Sequence, residues 1–164
     1  MPDLSIRPAT VEDCPLLVRL IESLADYERL REECRITPEA LQEHLFGPKP
    51  AAEAVIGEID GTPEGFALFF TSFSTFVGKP GLYLEDLFVN PDARGKGLGK
   101  SLLLHLVKLA KERGYGCVEW SVLDWNTPAI EFYKKLGAVP MEEWTVYRLN
   151  AARLAQLTDD TRKA

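Results

Sequence analysis

Residues 90–99 read Asn90-Pro91-Asp92-Ala93-Arg94-Gly95-Lys96-Gly97-Leu98-Gly99 and separate an apolar stretch from a long amphipathic one. The apolar stretch, residues 82–89, has the length and composition of a strand. Residues 97–113 carry leucines at 98, 102, 103, 106 and 109, the spacing of one helix face, before Gly114. The sequence therefore predicts a strand, a glycine-rich loop and a helix in this part of the chain.

The glycine-rich loop has the features of an anion site. Glycines let the backbone approach a ligand, and unpaired amides at a helix start point outward, where the helix dipole adds positive charge. Arg94, Lys96 and Lys100 would add full positive charges. Glycines at 95, 97 and 99 match neither a Walker loop nor the Gly-x-Gly-x-x-Gly pattern. A pyrophosphate would fit the loop, and a turn that only caps the helix is the alternative.

Upstream of the loop, the sequence predicts two helices and a hairpin. Thr10 or Asp13 can cap a first helix, and Thr37-Pro38-Glu39 begins a second one that ends at Gly47-Pro48. A period of two then replaces the helical period, and Asp60-Gly61 supplies the turn between two strands. This region therefore adds helices and antiparallel strands to the central elements.

The predicted elements together indicate one fold. Strands are expected at residues 4–8, 54–59, 65–74, 82–89, 117–123 and 144–149. Another helix runs from Asn126-Thr127-Pro128 to Gly137, and a polar tail follows the last strand. The order predicts an α/β fold with a central, mixed, mostly antiparallel, twisted sheet and helices on both faces. With 164 residues and no linker, a single domain spanning 1–164 is expected.

Composition and charge exclude several classes of protein. With 46% hydrophobic residues, the chain can bury roughly two thirds of its unfolded surface, so it needs no disulfides. The net charge of −6 argues against a nucleic-acid partner and is compatible with a cationic one. No apolar run reaches the roughly 18 residues of a membrane helix, and the first residues do not resemble a secretory signal. A cytoplasmic protein without a membrane partner is expected.

The cysteines and histidines form no metal-binding pattern. Cys14, Cys34 and Cys117 are widely spaced, and His44 and His105 lie in no ligand motif with them. No cysteine has a nearby histidine or a cluster of basic residues that would mark it as a nucleophile. The sequence therefore predicts no metal and no cysteine nucleophile.

The glycine-rich loop resembles the coenzyme A loop of the GNAT N-acetyltransferases, whose pattern is Arg/Gln-x-x-Gly-x-Gly/Ala. Residues 94–99 match that pattern, and residues 82–89, 125–138 and 6–10 are similar to other parts of the family, so the resemblance covers nearly the whole chain. The segments Tyr-Leu-Glu-Asp at 83–86 and Leu-Ala-Asp-Tyr-Glu at 24–28 most resemble the diamine (spermidine/spermine) branch. This branch also contains enzymes that acetylate thialysine and other small amines.

The resemblance implies acetyl-CoA as cosubstrate, with its pyrophosphate on residues 95–100 and its pantetheine along residues 87–89. The residues expected to bind it are Leu87, Phe88, Val89, Arg94, Gly95, Lys96, Gly97, Leu98, Gly99, Lys100, Asn126, Thr127, Pro128, Ala129 and Tyr133. Tyr133 would also protonate the departing thiolate. Its helical spacing alone is equally that of a core aromatic residue.

Glu85 and Asp86 are carboxylates inside an apolar strand, where charged residues are unusual. Neighbouring strand residues point to opposite faces, so one of the two should lie near the core or a cleft, where its pKa is raised. A general base for an ammonium substrate needs such a pKa, and an exposed pair at a strand end is the alternative. The resemblance implies that Glu85 is the base, directly or through water.

The resemblance also implies a set of residues for the amine. These are Tyr27, Glu28, Glu85, Asp86, Glu119, Trp120 and Ser121. Acidic residues on a helix are often only a solvated face, and this alternative stays open for Glu28.

The sequence therefore predicts direct transfer of an acetyl group from acetyl-CoA to a primary amine of a small polyamine or diamine, within a ternary complex. Thialysine, lysine-like amino acids or protein amines are alternative acceptors. A non-catalytic acyl-CoA sensor is the alternative outside enzymes. The resemblance further implies a homodimer, with contacts at the last strand and around Trp144.

Overall fold

The computed structural model describes residues 1–163, with side chains up to Asp159. The chain divides into two compact units, Met1–Leu123 and Asp124–Ala164. The expected single domain stays a prediction.

The first unit contains a five-stranded sheet in the order β1-β2-β3-β4-β5. The strands are β1 Leu4–Pro8, β2 Glu53–Ile59, β3 Thr62–Ser74, β4 Lys79–Val89 and β5 Val118–Trp120. Strands β1, β2, β3 and β4 pair antiparallel with one another in that order, and β5 pairs parallel with β4. The mixed, mostly antiparallel sheet predicted from the sequence is confirmed, although β5 is shorter than the predicted 117–123.

Helices cover both faces of this sheet, as predicted. They are α1 Cys14–Tyr27, α2 Pro38–Phe46 and α3 Leu98–Glu112. Buried residues of α1 and α2 form one hydrophobic cluster with Ile56, Phe66 and Phe88 of the sheet. Gly57, next to Ile56 on β2, faces the other side, where a Cβ would lie only 2.9 Å from Leu98 Cδ1. Glycine at position 57 therefore lets α3 pack closely on that face.

Local hydrogen bonds explain where the first two helices begin. Thr37 Oγ1 accepts a 3.1 Å hydrogen bond from the Ala40 amide and so caps α2. Before α1, the Asp13 carboxylate accepts the Thr10 amide at 2.7 Å and two hydrogen bonds from Arg7, at 2.7 and 3.0 Å. The bonds from Arg7 hold the pKa of Asp13 at about 2. The cap predicted at Thr37 is confirmed. Thr10 and Asp13 instead bond each other across the 3-10 turn Val11–Asp13 that leads into α1, and the Asp13 side chain makes no cap hydrogen bond to α1 itself.

The second unit contains α4 Thr127–Lys135 and α5 Ala151–Lys163. Helix α4 follows Asn126 and has Pro128 in its first turn, as predicted. The predicted polar tail is instead the helix α5. Asn150 Oδ1 accepts the Arg153 amide at 2.9 Å at its start, and Ala, Leu, Arg and Gln residues follow.

The strand predicted at residues 144–149 is wrong. These residues lie in no strand, and Trp144, Val146 and Tyr147 are exposed. Apolar alternation favours a strand only where a neighbouring strand supplies hydrogen-bond partners. No ladder in the described part of the chain reaches them.

Candidate functional site

Strands β4 and β5 diverge and leave part of β4 with an open edge. They pair only between Leu82–Leu84 and Val118–Trp120. Within residues 1–163, no strand lies beside residues 85–89 on that edge. Backbone groups on an open strand edge can pair with an extended ligand. Residues 87–89, predicted to bind pantetheine, lie on this edge.

A β-bulge interrupts β4 at Glu85. Leu68 of β3 pairs with Asp86, and the next residue, Phe69, pairs with Leu84, so Glu85 is the extra residue. Glu85 is exposed, whereas Asp86 is half-buried. The expectation that one of the two acids lies near the core is confirmed, and that acid is Asp86.

Three carboxyl groups, those of Glu28, Glu85 and Asp86, form an acidic cluster at the bulge. Burial, followed by repulsion from Glu85 and Glu28, raises the pKa of Asp86 to about 7. Burial, followed by repulsion from Glu85, also raises the pKa of Glu28. Glu28 directly follows Tyr27, the last residue of α1. A bound cation would relieve the repulsion within this cluster.

Asp86 should make the stability of the protein depend on pH. Its pKa rises from 3.8 to about 7 in the folded state, so the folded protein keeps a proton that the unfolded chain releases. The proton on Asp86 therefore adds up to about 4 kcal/mol to the free energy of unfolding below about pH 4. This stabilisation falls as the pH rises and is lost above about pH 7. We expect Asp86→Asn to be more stable than wild type near pH 8 and equally stable near pH 4, as measured by urea unfolding.

The matched control for this prediction is Glu43→Gln, which changes an exposed carboxylate on α2. Its stability relative to wild type should stay constant across the same pH range. A constant difference between Asp86→Asn and wild type from pH 4 to pH 8 would contradict the prediction.

The loop between β4 and α3 presents backbone groups to solvent. Gly95 and Gly97 have φ angles of 82° and 88°, in the left-handed region that favours glycine. A Cβ on Gly95 would meet nothing within 4 Å, and no side chain of the described residues caps α3. Lys96 and Lys100 are exposed on the same loop and first helical turn. The loop therefore fits a pyrophosphate group in backbone access and in charge.

The Arg94 side chain contacts groups behind the loop. Its Nε donates a 3.0 Å hydrogen bond to the carbonyl oxygen of Val89. Its guanidinium carbon lies 4.7 Å from the ring centroid of Tyr27 and 5.4 Å from that of Phe88. The structure thus brings Arg94 and Tyr27 together, which the sequence analysis missed. The role predicted for Arg94 at the pyrophosphate stays a prediction.

The residues predicted at the β5 side of the amine site are Glu119, Trp120 and Ser121. Glu119 is exposed and accepts a hydrogen bond from Cys117 Sγ at 3.3 Å, and Trp120 is half-buried. Ser121 Oγ lies 2.9 Å from the hydroxyl of Tyr83, which connects it to β4. Tyr83 was not predicted as a site residue. Its position two residues before Glu85 on the same strand could have indicated it, because alternate strand residues share a face.

In the second unit, the predicted coenzyme residues lie at the start of α4. Asn126 is buried, and Thr127 and Pro128 are exposed. Ala129 and Tyr133 are four residues apart, so they share a helix face, and both are half-buried. Their roles stay predictions.

The described residues contain no group of three His, Cys, Asp or Glu side chains that could hold a metal ion. Within the same residues, no helix combines the length and apolar character needed to cross a bilayer. Burial raises the pKa of the Cys14 and Cys117 thiols, which disfavours their reactive thiolate forms.

Comparisons with known proteins agree on one family. The model of the acetyltransferase (GNAT) family matches residues 18–138. A thialysine N-epsilon-acetyltransferase from Bos taurus is 35% identical over 163 residues, which cover 93% of this chain and 95% of the relative. A spermidine/spermine N(1)-acetyltransferase-like protein 1 from Homo sapiens is 30% identical over 93% of this chain and 23% of its own length.

A solved structure supports the same fold. The integron cassette protein from the mobile metagenome of V. cholerae aligns with a TM-score of 0.79 and 26% sequence identity. The alignment covers 94% of this chain and 97% of that protein. The predicted fold class is therefore confirmed.

Proposed function

We propose that this chain, which belongs to the acetyltransferase (GNAT) family, acetylates the terminal primary amine of a small aliphatic diamine or polyamine. The coarser activity follows from the family: the chain is an acetyl-CoA-dependent N-acetyltransferase. The observation that carries the choice of amine is the acidic cluster of Glu28, Glu85 and Asp86 at the bulge in β4. Several carboxylates in one place favour a substrate with more than one positive charge.

The bond changes are those of direct acyl transfer. The amine nitrogen forms a bond to the acetyl carbon, and the carbon–sulfur bond breaks. The ammonium loses two protons as it becomes the amide nitrogen, one before the attack and one from the tetrahedral intermediate. The departing thiolate gains one proton, so one proton is released to solvent overall. Acetyl-CoA supplies the activated acetyl group when it is bound. Glu85 accepts the first of these protons, which frees the amine for attack, directly or through water, and Tyr133 donates a proton to the thiolate.

The other acids orient the amine. Glu28 and Asp86 hold the positive charge of the substrate that does not react, so the reacting nitrogen is placed next to Glu85. Tyr27, Glu119, Trp120 and Ser121 complete the amine site in this proposal. The resulting arrangement explains why Asp86 is kept in a half-buried position that costs stability at neutral pH.

Strand β4 and the loop after it bind the cosubstrate. The open edge at residues 85–89 supplies backbone hydrogen bonds for an extended chain, and amides near Leu87 stabilise the negative charge on the reacting carbonyl oxygen. The loop at residues 95–100 binds the pyrophosphate. Direct transfer is favoured over an acyl-enzyme because burial raises the pKa of the Cys14 and Cys117 thiols.

A second candidate substrate is an amino acid with a side-chain amine, and the name of the Bos taurus relative favours it. Such a substrate carries a carboxylate as well as two amines. The acidic cluster repels a carboxylate, so matched compounds that differ only in this group separate the two candidates. Putrescine and ornithine form one such pair, and cadaverine and lysine form another.

The test is release of free coenzyme A from acetyl-CoA with these matched pairs, and with spermidine, spermine, thialysine and a lysine peptide. We expect kcat/KM for putrescine to exceed that for ornithine by about tenfold or more, the effect of ~1.4 kcal/mol of repulsion. Equal or better turnover of ornithine and thialysine would replace the diamine by an amino acid. Acetyl-CoA binding without transfer to any of these amines would favour the sensor.

Three further expectations belong to this proposal. The chain forms one N-acetyltransferase domain, because the family match at residues 18–138 runs across the boundary between the two units. It forms a homodimer, as the resemblance implies, and it acts in the cytoplasm. The exposed side chains of Trp144, Val146 and Tyr147 support a contact there, although not through a strand.

A further inference from the structure

Arg94 connects the loop before α3 with the end of α1. Its Nε bonds the carbonyl of Val89, the last residue of β4, at 3.0 Å. Its guanidinium lies over two rings, 4.7 Å from the centroid of Tyr27 and 5.4 Å from that of Phe88. Both distances are within the range of a cation–π attraction. The hydrogen bond fixes one end of the planar guanidinium, so its faces are presented to the rings in a defined orientation.

The Arg94 contact lies at the end of α1, where Arg31 also bonds Asp26 Oδ2 at 3.0 Å. Tyr27 is its last residue, and Glu28 follows directly, with its carboxyl group repelled by that of Glu85. Like charges separate when the backbone that carries them is free to move. Arg94 opposes this movement because it holds the Tyr27 ring, and its positive charge also complements the negative end of the α1 dipole.

We propose that Arg94 is a positioning residue for the amine substrate: through the Tyr27 ring it holds the end of α1, and so keeps Glu28 beside Glu85 and Asp86. The contact itself is independent of the reaction, whereas its role in amine binding rests on the proposed function. The role is distinct from pyrophosphate binding, because it acts through the Tyr27 ring of α1, which is not among the residues expected to bind acetyl-CoA.

The test is a double-mutant cycle with Arg94→Gln and Tyr27→Leu. Because Arg94 is exposed, we expect each single variant to raise the amine KM by about two- to fivefold, the size of an exposed cation–π contact, with kcat changed less than about twofold. The double variant should be no worse than the worse single one. In a Tyr27→Phe background, which keeps the ring, Arg94→Gln should still raise the amine KM.

Lys96→Gln is the matched control, since it removes an exposed cation from the same loop. It should weaken acetyl-CoA binding and show no coupling to Tyr27→Leu in the amine KM. KM increases that multiply in the Arg94 and Tyr27 double variant would overturn the proposal. An Arg94→Gln effect confined to the KM for acetyl-CoA would overturn it too.

A second readout separates this inference from the proposed function. The same cycle, measured by urea unfolding without substrates, reports the contact alone. Normal amine turnover without coupling in the unfolding cycle overturns the role of Arg94 and leaves the proposed function intact. A wild-type protein that neither acetylates any amine nor binds putrescine in calorimetry overturns the proposed function and the positioning role together, even where the unfolding cycle shows coupling.

Discussion

Glu85→Gln is expected to lower kcat/KM for the amine by about 10²- to 10⁴-fold at pH 7, the usual contribution of a general base. An aliphatic amine has a pKa near 10, so nearly every substrate molecule at this pH carries the proton that must leave. The bulge in β4 places the Glu85 carboxyl outside the regular pairing with β3, in the acidic cluster. Glutamine keeps the shape of this side chain and cannot accept the proton.

The pH dependence identifies the lost step. Without a base, the rate of the variant depends on the fraction of the amine that is already neutral. Below the amine pKa, this fraction increases about tenfold for each unit by which the pH rises. The deficit relative to wild type should therefore be largest at low pH and shrink as the pH rises. Initial rates of coenzyme A release, measured from pH 6 to pH 9.5, give both profiles.

Two variants make this experiment specific. Glu43→Gln, on the exposed side of α2, should reproduce the wild-type profile. Asp86→Asn should mainly raise the amine KM, because Asp86 orients the substrate in the proposed site. A pH profile of Glu85→Gln that matches wild type would show that Glu85 is not the general base. If Asp86→Asn shows the low-pH deficit instead, the half-buried Asp86 is the group that accepts the proton.

Tyr133→Phe is expected to lower kcat by about 10²-fold, the lower end of the usual contribution of a general acid. Phenylalanine fills the same half-buried position on α4 without the hydroxyl. The dissociation constant for acetyl-CoA, measured by calorimetry, should change by less than about threefold, because the hydroxyl acts on the leaving thiolate and not on the bound ground state.

Tyr147→Phe is the matched control in the same unit: it removes a hydroxyl from a side chain that is 92% exposed and keeps the ring that the proposed dimer contact would use. It should keep the wild-type kcat. A wild-type kcat in Tyr133→Phe would mean that Tyr133 is a core aromatic residue, the alternative that its helical spacing left open.

Much of the fold could be predicted because its signals are local. Thr37 with Pro38 predicts the start of α2, and Thr10 with Asp13 marks the turn that leads into α1. The glycines at 95 and 97 adopt positive φ angles that glycine favours, and they mark the loop before α3. Each of these features depends on residues within a few positions of one another, so the sequence displays them directly.

The strand predicted at residues 144–149 shows where local signals fail. Alternating apolar residues are compatible with a strand, but a strand also needs a partner for its backbone groups. In the described chain, the sheet order ends at β5, and these residues are not part of it. No pattern within the segment reports whether a partner strand is available.

The candidate site also combines features that the sequence displays locally with features that only folding decides. Contiguous motifs sufficed to predict the family, the glycine-rich loop and the acidic pair at 85–86, because those features lie in neighbouring residues. Folding alone selected Asp86 as the buried acid, since the bulge depends on how β3 pairs with β4. Folding also brought Arg94 onto Tyr27 and Glu28 next to Glu85. These contacts join residues far apart in the chain, and their energies depend on burial and distance, which exist only once the sheet and α1 have packed.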